Sequence, residues 1–334
     1  MNRIHRLKRK HEKNLMKMDN VVGIGVGYKI VGGETTQDPA ILVLVKEKVP
    51  DKQLLSRHRV PKTLNEVPTD VVEVGEVKLL GMKIERERPA KPGMSIGHYK
   101  ISAGTFGALV KDQTTGEPLI LSNNHVLANA TDGYDGRANI GDAILQPGAH
   151  DGGTSEDVIA TLERFIPIVK NTSSSRCPIA RRVEKGFNNI LKIVKPDYEI
   201  SFIKKNSPQN LIDAAVAKPI NPQDVAADVV GLGDIKGISE VSIGDTVTKS
   251  GRTSGITSNK IKALDVMLNV VLGPGEEATF YDQILTGPMG QPGDSGSIIL
   301  NTDMKAVGLL FAGSDKATII NPISIVTKLL KITF

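Results

Sequence analysis

Three short stretches of this chain hold residues whose types and spacing could break an acyl bond. Near the C-terminus, Gly293-Asp294-Ser295-Gly296 sets a serine in a tight turn bracketed by glycines. Such a turn exposes the hydroxyl and leaves backbone N–H groups beside it, which is what a nucleophile and an oxyanion need. Glycine permits the backbone conformations that the turn demands. A serine hydroxyl is a poor nucleophile until a base takes its proton and a third group orients that base. The base is read as His125, which follows the run Leu119-Ile120-Leu121-Ser122-Asn123-Asn124. The third group is read as Asp213, in Leu211-Ile212-Asp213-Ala214-Ala215-Val216. An acid inside an apolar run is costly unless it has a hydrogen-bonded partner.

Each of the three alone has an ordinary reading: a turn, a hydrogen-bonded loop histidine, a strand-end cap. The other histidines serve less well. His5 and His11 lie in a charged tail and His58 in a polar stretch. His98 and His150 sit beside glycines, but neither leaves a buried strand in this way. The order His125, Asp213, Ser295 is what discriminates. An α/β-hydrolase runs serine, acid, histidine, with glycine two residues after the serine. Ser297 holds that place here, so that architecture fails on both counts.

With these residues in view, the chain resembles the chymotrypsin-like (trypsin-fold) serine peptidases, in particular the bacterial trypsin-like group. His125, Asp213 in an Asp-x-Ala-like strand, and Gly293 to Gly296 match that family's motifs in order. Val247-Thr248-Lys249-Ser250-Gly251-Arg252-Thr253-Ser254-Gly255 resembles the Ser-Gly-x-Thr-Thr-Gly segment of the secreted relatives. Val307-Gly308-Leu309-Leu310-Phe311-Ala312-Gly313 resembles the strand that walls the primary specificity pocket. The resemblance spans roughly residues 93–334. It implies a serine endopeptidase working through an acyl-enzyme: Ser295 as nucleophile, His125 as general base, Asp213 fixing the tautomer. The N–H groups of Gly293 and Ser295 would form the oxyanion hole, and no metal or cofactor is needed.

The departures are local. Ser297 replaces the usual second glycine, Asn123-Asn124 replace a small-residue approach to the histidine, and Val126 stands where a cysteine often follows. Lys29-Ile30-Val31-Gly32-Gly33 reads like a zymogen activation site, but it lies far too early and is better taken as a hairpin turn. Asp294 then needs another cation. The resemblance assigns it Lys249, an internal pair that dispenses with zymogen cleavage. It also places Met289 on the floor of the substrate pocket and Gly313 on its wall. Neither is charged, so an apolar side chain is expected before the scissile bond.

Composition bounds the remaining readings. The chain has one cysteine, Cys177, so no intrachain disulfide can form, and a reducing compartment is expected. The basic N-terminus has no apolar stretch behind it, and no run is long enough to span a bilayer. The expectation is a cytoplasmic protein with no membrane role. The net charge is +5, with much of the excess in the first seventeen residues. Those residues read as a solvated basic helix or frayed arm. A nucleic-acid-associated factor using that arm is an alternative function, disfavoured because tryptophan is absent and aromatics are few. A non-catalytic peptide-binding module on the same fold is the other. The partner expected is a protein or peptide substrate.

The elements that must position the site are mainly β. Residues 1–19 form the basic arm, 20–92 a small α/β N-terminal domain with a linker from Arg86 to Pro92, and 93–334 the peptidase domain. The N-terminal domain reads as strands at Val21–Lys29, Ala40–Val45 and Asp70–Val77, with a short polar helix after Pro50. A pro-segment, a substrate gate or a homo-oligomerisation surface are all open to it. Gly23-Ile24-Gly25-Val26-Gly27 is rejected as a dinucleotide loop, because its third glycine comes early and a strand follows. Strands at Gly104–Val110, Leu119–Leu121, Ala143–Gln146, Ser297–Leu300 and Val307–Phe311 predict a double antiparallel β-barrel. Arg176 to Val194, with Ile179, Val183, Phe187, Ile190, Leu191 and Val194 at helical spacing, predicts an inserted amphipathic helix packed on the barrel. Asp132-Gly133-Tyr134-Asp135-Gly136 lacks the ligand spacing of a calcium loop and reads as a hairpin tip.

Overall fold

The run Ala40-Ile41-Leu42-Val43-Leu44-Val45 is apolar at every position, which a strand tolerates only if both its faces are covered. Both are. Ala40, Leu42 and Leu44 pack with Val266, Leu268, Phe280 and Phe311. Ile41, Val43 and Val45 pack on the opposite side with Ile4, Leu15, Ile24 and Val26. The strand Glu34–Val45 pairs antiparallel with Val21–Val31 and parallel with Val67–Glu73. The structure is a computed structural model that describes residues 2–31, 34–50, 53–55, 58–75, 85–101, 103–174, 177–206 and 209–334.

Two curled sheets carry the rest. The first runs, in spatial order, Ile332–Thr333, Ala108–Asp112, Pro118–Ser122, Ala215–Pro219, Val158–Phe165, Ala143–Leu145, Ser95–His98 and Gly104–Thr105. The second runs Thr246–Gly251, Ile298–Asn301, Ala306–Gly313, Thr318–Pro322, Glu276–Thr286 and Gly255–Gly273, and closes because the first of these also pairs with the last. The N-terminal strands do not form a separate sheet: Val21–Val31 adds antiparallel to Gly255–Gly273, with Gly23 opposite Leu268 and Val26 opposite Leu264. One apolar cluster, with Val110, Leu121, Val216, Ile298, Leu309 and Val326, fills the space between the two sheets. Helix α4, Ile323–Leu330, closes that space from the C-terminal side.

Several expectations fall on the boundaries of these elements. The strand expected at Asp70–Val77 is found at Val67–Glu73, and Glu76 and Val77 lie outside the described residues. In the stretch after Pro50, where a short helix was expected, the described residues make two turns, the Gln53 amide on the Pro50 carbonyl and the His58 amide on the Leu55 carbonyl, each at 2.8 Å, while Asp51, Lys52, Ser56 and Arg57 lie outside them. Val31 pairs with Glu34, while Gly32 and Gly33, expected as a hairpin turn, lie outside the described residues. The linker Arg86 to Pro92 is strapped to the first sheet's loops: Ala90 bridges Val225 and Arg86 Nε pairs with Asp157 at 2.9 Å.

Two helices differ from expectation. The N-terminal residues form α1, Asn2–Leu15, which is docked rather than solvated: Ile4, Lys8, Glu12 and Leu15, spaced along one face, are buried. Lys8 reaches Asp265 at 3.6 Å, His5 Nδ1 meets Asp265 at 2.9 Å and Arg9 lies 3.8 Å from Asp282. The inserted helix forms as expected, Pro178–Val194, but none of its residues is buried, so it does not pack on the barrel. No helix among the described residues is long and apolar enough to cross a membrane.

Beneath α1, Asp282 and Asp265 share a hydrogen bond. Burial, that hydrogen bond and the Asp265 charge push the Asp282 carboxyl up to about 6. The folded state therefore keeps a proton that the unfolded chain has released above about 4. The resulting stability is complete below that pH and is lost as pH rises through about 6. Asp282→Asn, which mimics the protonated acid, is expected to raise the melting midpoint at pH 8 and to leave it unchanged at pH 4. An equal gain at both pH values would contradict this linkage.

Candidate active site

His125 sits in the single turn α2, Asn124–Leu127, directly after the strand Pro118–Ser122. The asparagines that depart from the family pattern are what hold this turn. Asn123 Nδ2 donates to the Asp213 carbonyl at 2.7 Å. Asn124 Nδ2 donates to the Ile166 carbonyl at 2.7 Å, and its Oδ1 accepts the Thr131 amide at 3.1 Å. His125 thereby faces Asp213. The Asp213 carboxylate is fully buried and accepts twice from this residue: from Nδ1 at 2.5 Å and from the backbone amide at 3.1 Å.

Asp213 is held in turn by Asn321, which the sequence reading missed. Asn321 Oδ1 accepts the Asp213 amide at 3.1 Å and its Nδ2 donates to the Asp213 carbonyl at 3.1 Å. Nothing in the sequence marks Asn321, because it ends an apolar strand of the other sheet. The pair is thus fixed from both sheets.

The serine turn is pinned by two neighbours. Thr105 donates its amide to the Ser295 carbonyl at 2.7 Å and its hydroxyl to the Gly293 carbonyl at 2.6 Å. Ser122, three residues before His125, donates to the Thr105 carbonyl at 2.7 Å. Gly104 packs so closely that a side chain there would strike both Val126 and the Ser295 carbonyl, so the histidine and serine turns flank one α-carbon. Gly296 has φ +94°, and a Cβ on it would overlap Ser122 and the Thr105 carbonyl. Ser295 is buried, and its hydroxyl points to the Phe311 carbonyl at 3.5 Å. No hydrogen bond joins it to His125 among the described residues. Nor do the amides of Gly293 and Ser295 find an acceptor among those residues, which leaves both free for an oxyanion.

Asp294 is wholly buried, and its carboxylate gathers five donors. Lys249 Nζ lies at 2.9 Å, Ser254 Oγ at 2.5 Å and the Gln291 amide at 2.8 Å, with the Thr253 and Ser254 amides at 3.0 and 3.1 Å. Burial by itself would raise this carboxyl. The Lys249 charge, helped by the Ser254 hydroxyl and the Gln291 amide, outweighs it and holds the group below the usual carboxylate range. Ser297 fits the same pattern: its hydroxyl donates to the Asp294 carbonyl at 2.6 Å, a bond that glycine could not make.

A second buried ion pair lies behind the turn. Arg252 grips Asp151 with Nε at 2.8 Å and with Nη2, and Ser95 adds its hydroxyl to the same carboxylate. Neither Arg252 nor Asp151 was singled out in the sequence, since an arginine in a glycine-rich turn reads as surface. His98, set aside earlier, forms its own buried pair with Asp142 at 3.0 Å, and burial pushes its pKa down.

Where the resemblance sets the pocket floor, Met289 is buried, with its amide on Thr318 Oγ1 at 3.0 Å. It borders a cavity of about 430 Å³ with Ser254, Pro292, Ser314 and the exposed Asp315. Gly313 does not border that cavity but leads straight into Ser314 and Asp315 at its rim. There the N-terminal layer arrives: Ser314 bonds the Val74 carbonyl and Lys316 pairs with Glu73. Among the described residues, no group of histidines, cysteines and acids could hold a metal ion.

A family model described as the NARROW LEAF 1 N-terminal domain matches residues 3–75. No curated protein matches the chain. Solved structures similar to it include a Nocardiopsis protease, at 16% identity, 73% of this chain, 98% of that one and a TM-score of 0.46. A Cellulomonas bogoriensis chymotrypsin aligns at 17% identity over 73% of this chain and 98% of its own, with a TM-score of 0.43. Thermobifida fusca Protease A aligns at 14% identity over 73% and 98%, with a TM-score of 0.45.

Removing the cation from a buried pair strands its partner, at a cost of about 3–5 kcal/mol. Lys249→Met is expected to lose about that much in denaturant unfolding, and the further change Asp294→Asn to recover part of it. A loss below about 1 kcal/mol would place the pair among those that contribute little.

Proposed function

From the mainly β, chymotrypsin-like fold as premise, we propose that the protein is a serine endopeptidase acting through His125, Asp213 and Ser295. The observation that carries this reading is the His125–Asp213 pair, at 2.5 Å, beside a serine turn whose two amides are unoccupied among the described residues. In the reaction the Ser295 side chain turns from the Phe311 carbonyl toward His125, a rotation about one bond. Nε2 takes the hydroxyl proton as Oγ bonds to the scissile carbonyl carbon, while Nδ1–H stays on Asp213. The carbonyl oxygen becomes an oxyanion facing the amides of Gly293 and Ser295. Collapse expels the amine, which receives the proton from Nε2, and water repeats the sequence on the acyl-serine.

The Asp294–Lys249 pair serves this chemistry by keeping the turn in shape without a freed N-terminus. Met289 favours an apolar side chain before the scissile bond. The end of the strand Val67–Glu73 and Val74 after it abut the rim of the pocket, which supports a gate rather than a pro-segment as the role of the N-terminal layer. One observation favours a second reading, a peptide-binding module without turnover: the serine hydroxyl is turned to Phe311. The nucleic-acid reading gains nothing, because Lys8, Arg9 and His5 are engaged with Asp265 and its neighbours.

A fluorophosphonate probe separates turnover chemistry from binding. The wild type is expected to be labelled, Ser295→Ala to take no label, and His125→Ala to react at least about a hundredfold more slowly. Absence of labelling in folded wild type, or labelling that survives in Ser295→Ala, would leave the binding module as the better reading. Among chromogenic peptides, faster cleavage after Arg than after Leu or Phe would overturn the assignment of Met289.

A further inference from the structure

Helix α3, the inserted helix Pro178–Val194, is built the wrong way round for a helix of a globular protein. Its apolar side chains, Ile179, Val183, Phe187, Ile190 and Val194, recur at a spacing that gathers them on one face. That face is bare: Phe187 is 54% exposed and Ile190 61%. The opposite face meets the returning chain instead. Asn188 Nδ2 donates to the Ile200 carbonyl at 2.8 Å and its Oδ1 accepts the Ile200 amide at 2.8 Å, so the returning chain lies along the polar side. Phe202 and Ile203, at the start of the strand Ile203–Lys205, are exposed apolar side chains of the same excursion. An apolar surface of this extent on a polar-rimmed element marks a contact site.

Charge selects the occupant. From Cys177 to Lys205 the excursion carries seven lysines and arginines against three acids. Arg181, Arg182, Lys185 and Lys192 lie on the side of the helix away from the apolar face, and Lys204 and Lys205 close the far end. A second copy of the chain would bring the same positive excess to the contact. A surface that accepts apolar side chains and attracts cations around them is a bilayer with anionic headgroups. The helix has 17 residues, about 25 Å, and its basic side chains could not cross the hydrocarbon, so it would lie in the interface plane. This mode needs no spanning helix, and none is found among the described residues.

We propose that α3 and the strand Ile203–Lys205 form a peripheral docking surface for an anionic lipid bilayer. The neck of the excursion is suited to carry the load. Asn210 exchanges two hydrogen bonds with Val169 at 2.8 and 2.9 Å, and the Asn206 amide donates to the Asn171 carbonyl at 2.8 Å. The root of the helix is therefore tied to the segment that leads to Asp213, and a docked helix would hold the catalytic domain at the membrane rather than tether it loosely. This does not depend on whether Ser295 is reactive.

Co-sedimentation of the full chain with vesicles tests it. Vesicles of phosphatidylcholine containing phosphatidylserine are expected to bind the protein, and phosphatidylcholine alone to leave it in solution. Raising salt from about 0.05 to about 0.5 M, which shortens the Debye length roughly threefold, should release it. Each basic residue near an anionic surface is worth about fivefold, so Arg181→Glu with Arg182→Glu should weaken binding at least about 25-fold. Phe187→Asp with Ile190→Asp should abolish binding while the melting midpoint stays within a few degrees of wild type, since these side chains are already exposed. Three results would overturn the proposal: no binding to anionic vesicles, equal binding to neutral ones, or a concentration-dependent dimer in sedimentation velocity that Phe187→Asp dissolves.

Discussion

A carboxylate with no access to water, Asp294, is the constraint around which the site is organised. Taking it out of solvent is tolerable only because a cation, a hydroxyl and three amides converge on it. Those donors come from Lys249, the glycine-rich turn after it, and Gln291, so satisfying one side chain fixes the hairpin Thr246–Ser258 against the serine turn. The direction of Gly293 and Ser295 amides follows from that fixed backbone. A turn of glycines would otherwise sample many conformations at little cost. Here the electrostatic demand of its neighbour removes the choice.

The turn also has to meet a histidine from the other sheet, and the link is polar throughout. Thr105 holds the Gly293 and Ser295 carbonyls, accepts the Arg252 amide at 3.2 Å, and has its own carbonyl taken by Ser122. Arg252 carries the connection back to Asp151 in the first sheet's loops, as a second fully buried ion pair. Asn321 makes the reciprocal link, from the second sheet to the Asp213 backbone. Apolar packing brings the two sheets together but is not directional. The angular precision at His125 and Ser295 comes from these few buried hydrogen bonds, each of which costs free energy if left unpaired.

How much of this was legible in the sequence depended on whether a residue's role was local. Ser295, His125 and Asp213 could be read because each stands in a distinctive run: a glycine turn, a strand end, an acid among apolar residues. The strands read at Leu119–Leu121, Ala143–Gln146, Ser297–Leu300 and Val307–Phe311 were readable for the same reason, to within a residue or two, whereas the one read at Gly104–Val110 breaks into Gly104–Thr105 and Ala108–Asp112 and the one read from Ala40 starts at Glu34. Asn321, Thr105 and Asp151 act across the fold, and their own neighbours in sequence carry no trace of it. The docking of α1 was missed because Lys8 and Glu12, which look like solvated charges, neutralise each other at 2.9 Å beneath the helix. For α3 the amphipathic period was right and the inference that its apolar side faces the barrel was not. Periodicity tells which side chains share a face, never what that face meets.

The N-terminal layer illustrates the same point at the scale of a sheet. Val21–Val31 extends the hairpin Gly255–Thr286 by backbone pairing, and Leu42 and Leu44 share a core with Leu268, Phe280 and Phe311. A segment removed during maturation would have to leave behind a bare sheet edge and an uncovered apolar face, both of which invite aggregation. The same core contains Phe311, whose carbonyl receives the Ser295 hydroxyl, and Ala312 beside it. Displacing the layer would therefore disturb the strand Ala306–Gly313 from one side while the serine turn leans on it from the other. The layer reaches the serine turn only through that strand, because it is part of the barrel's own core.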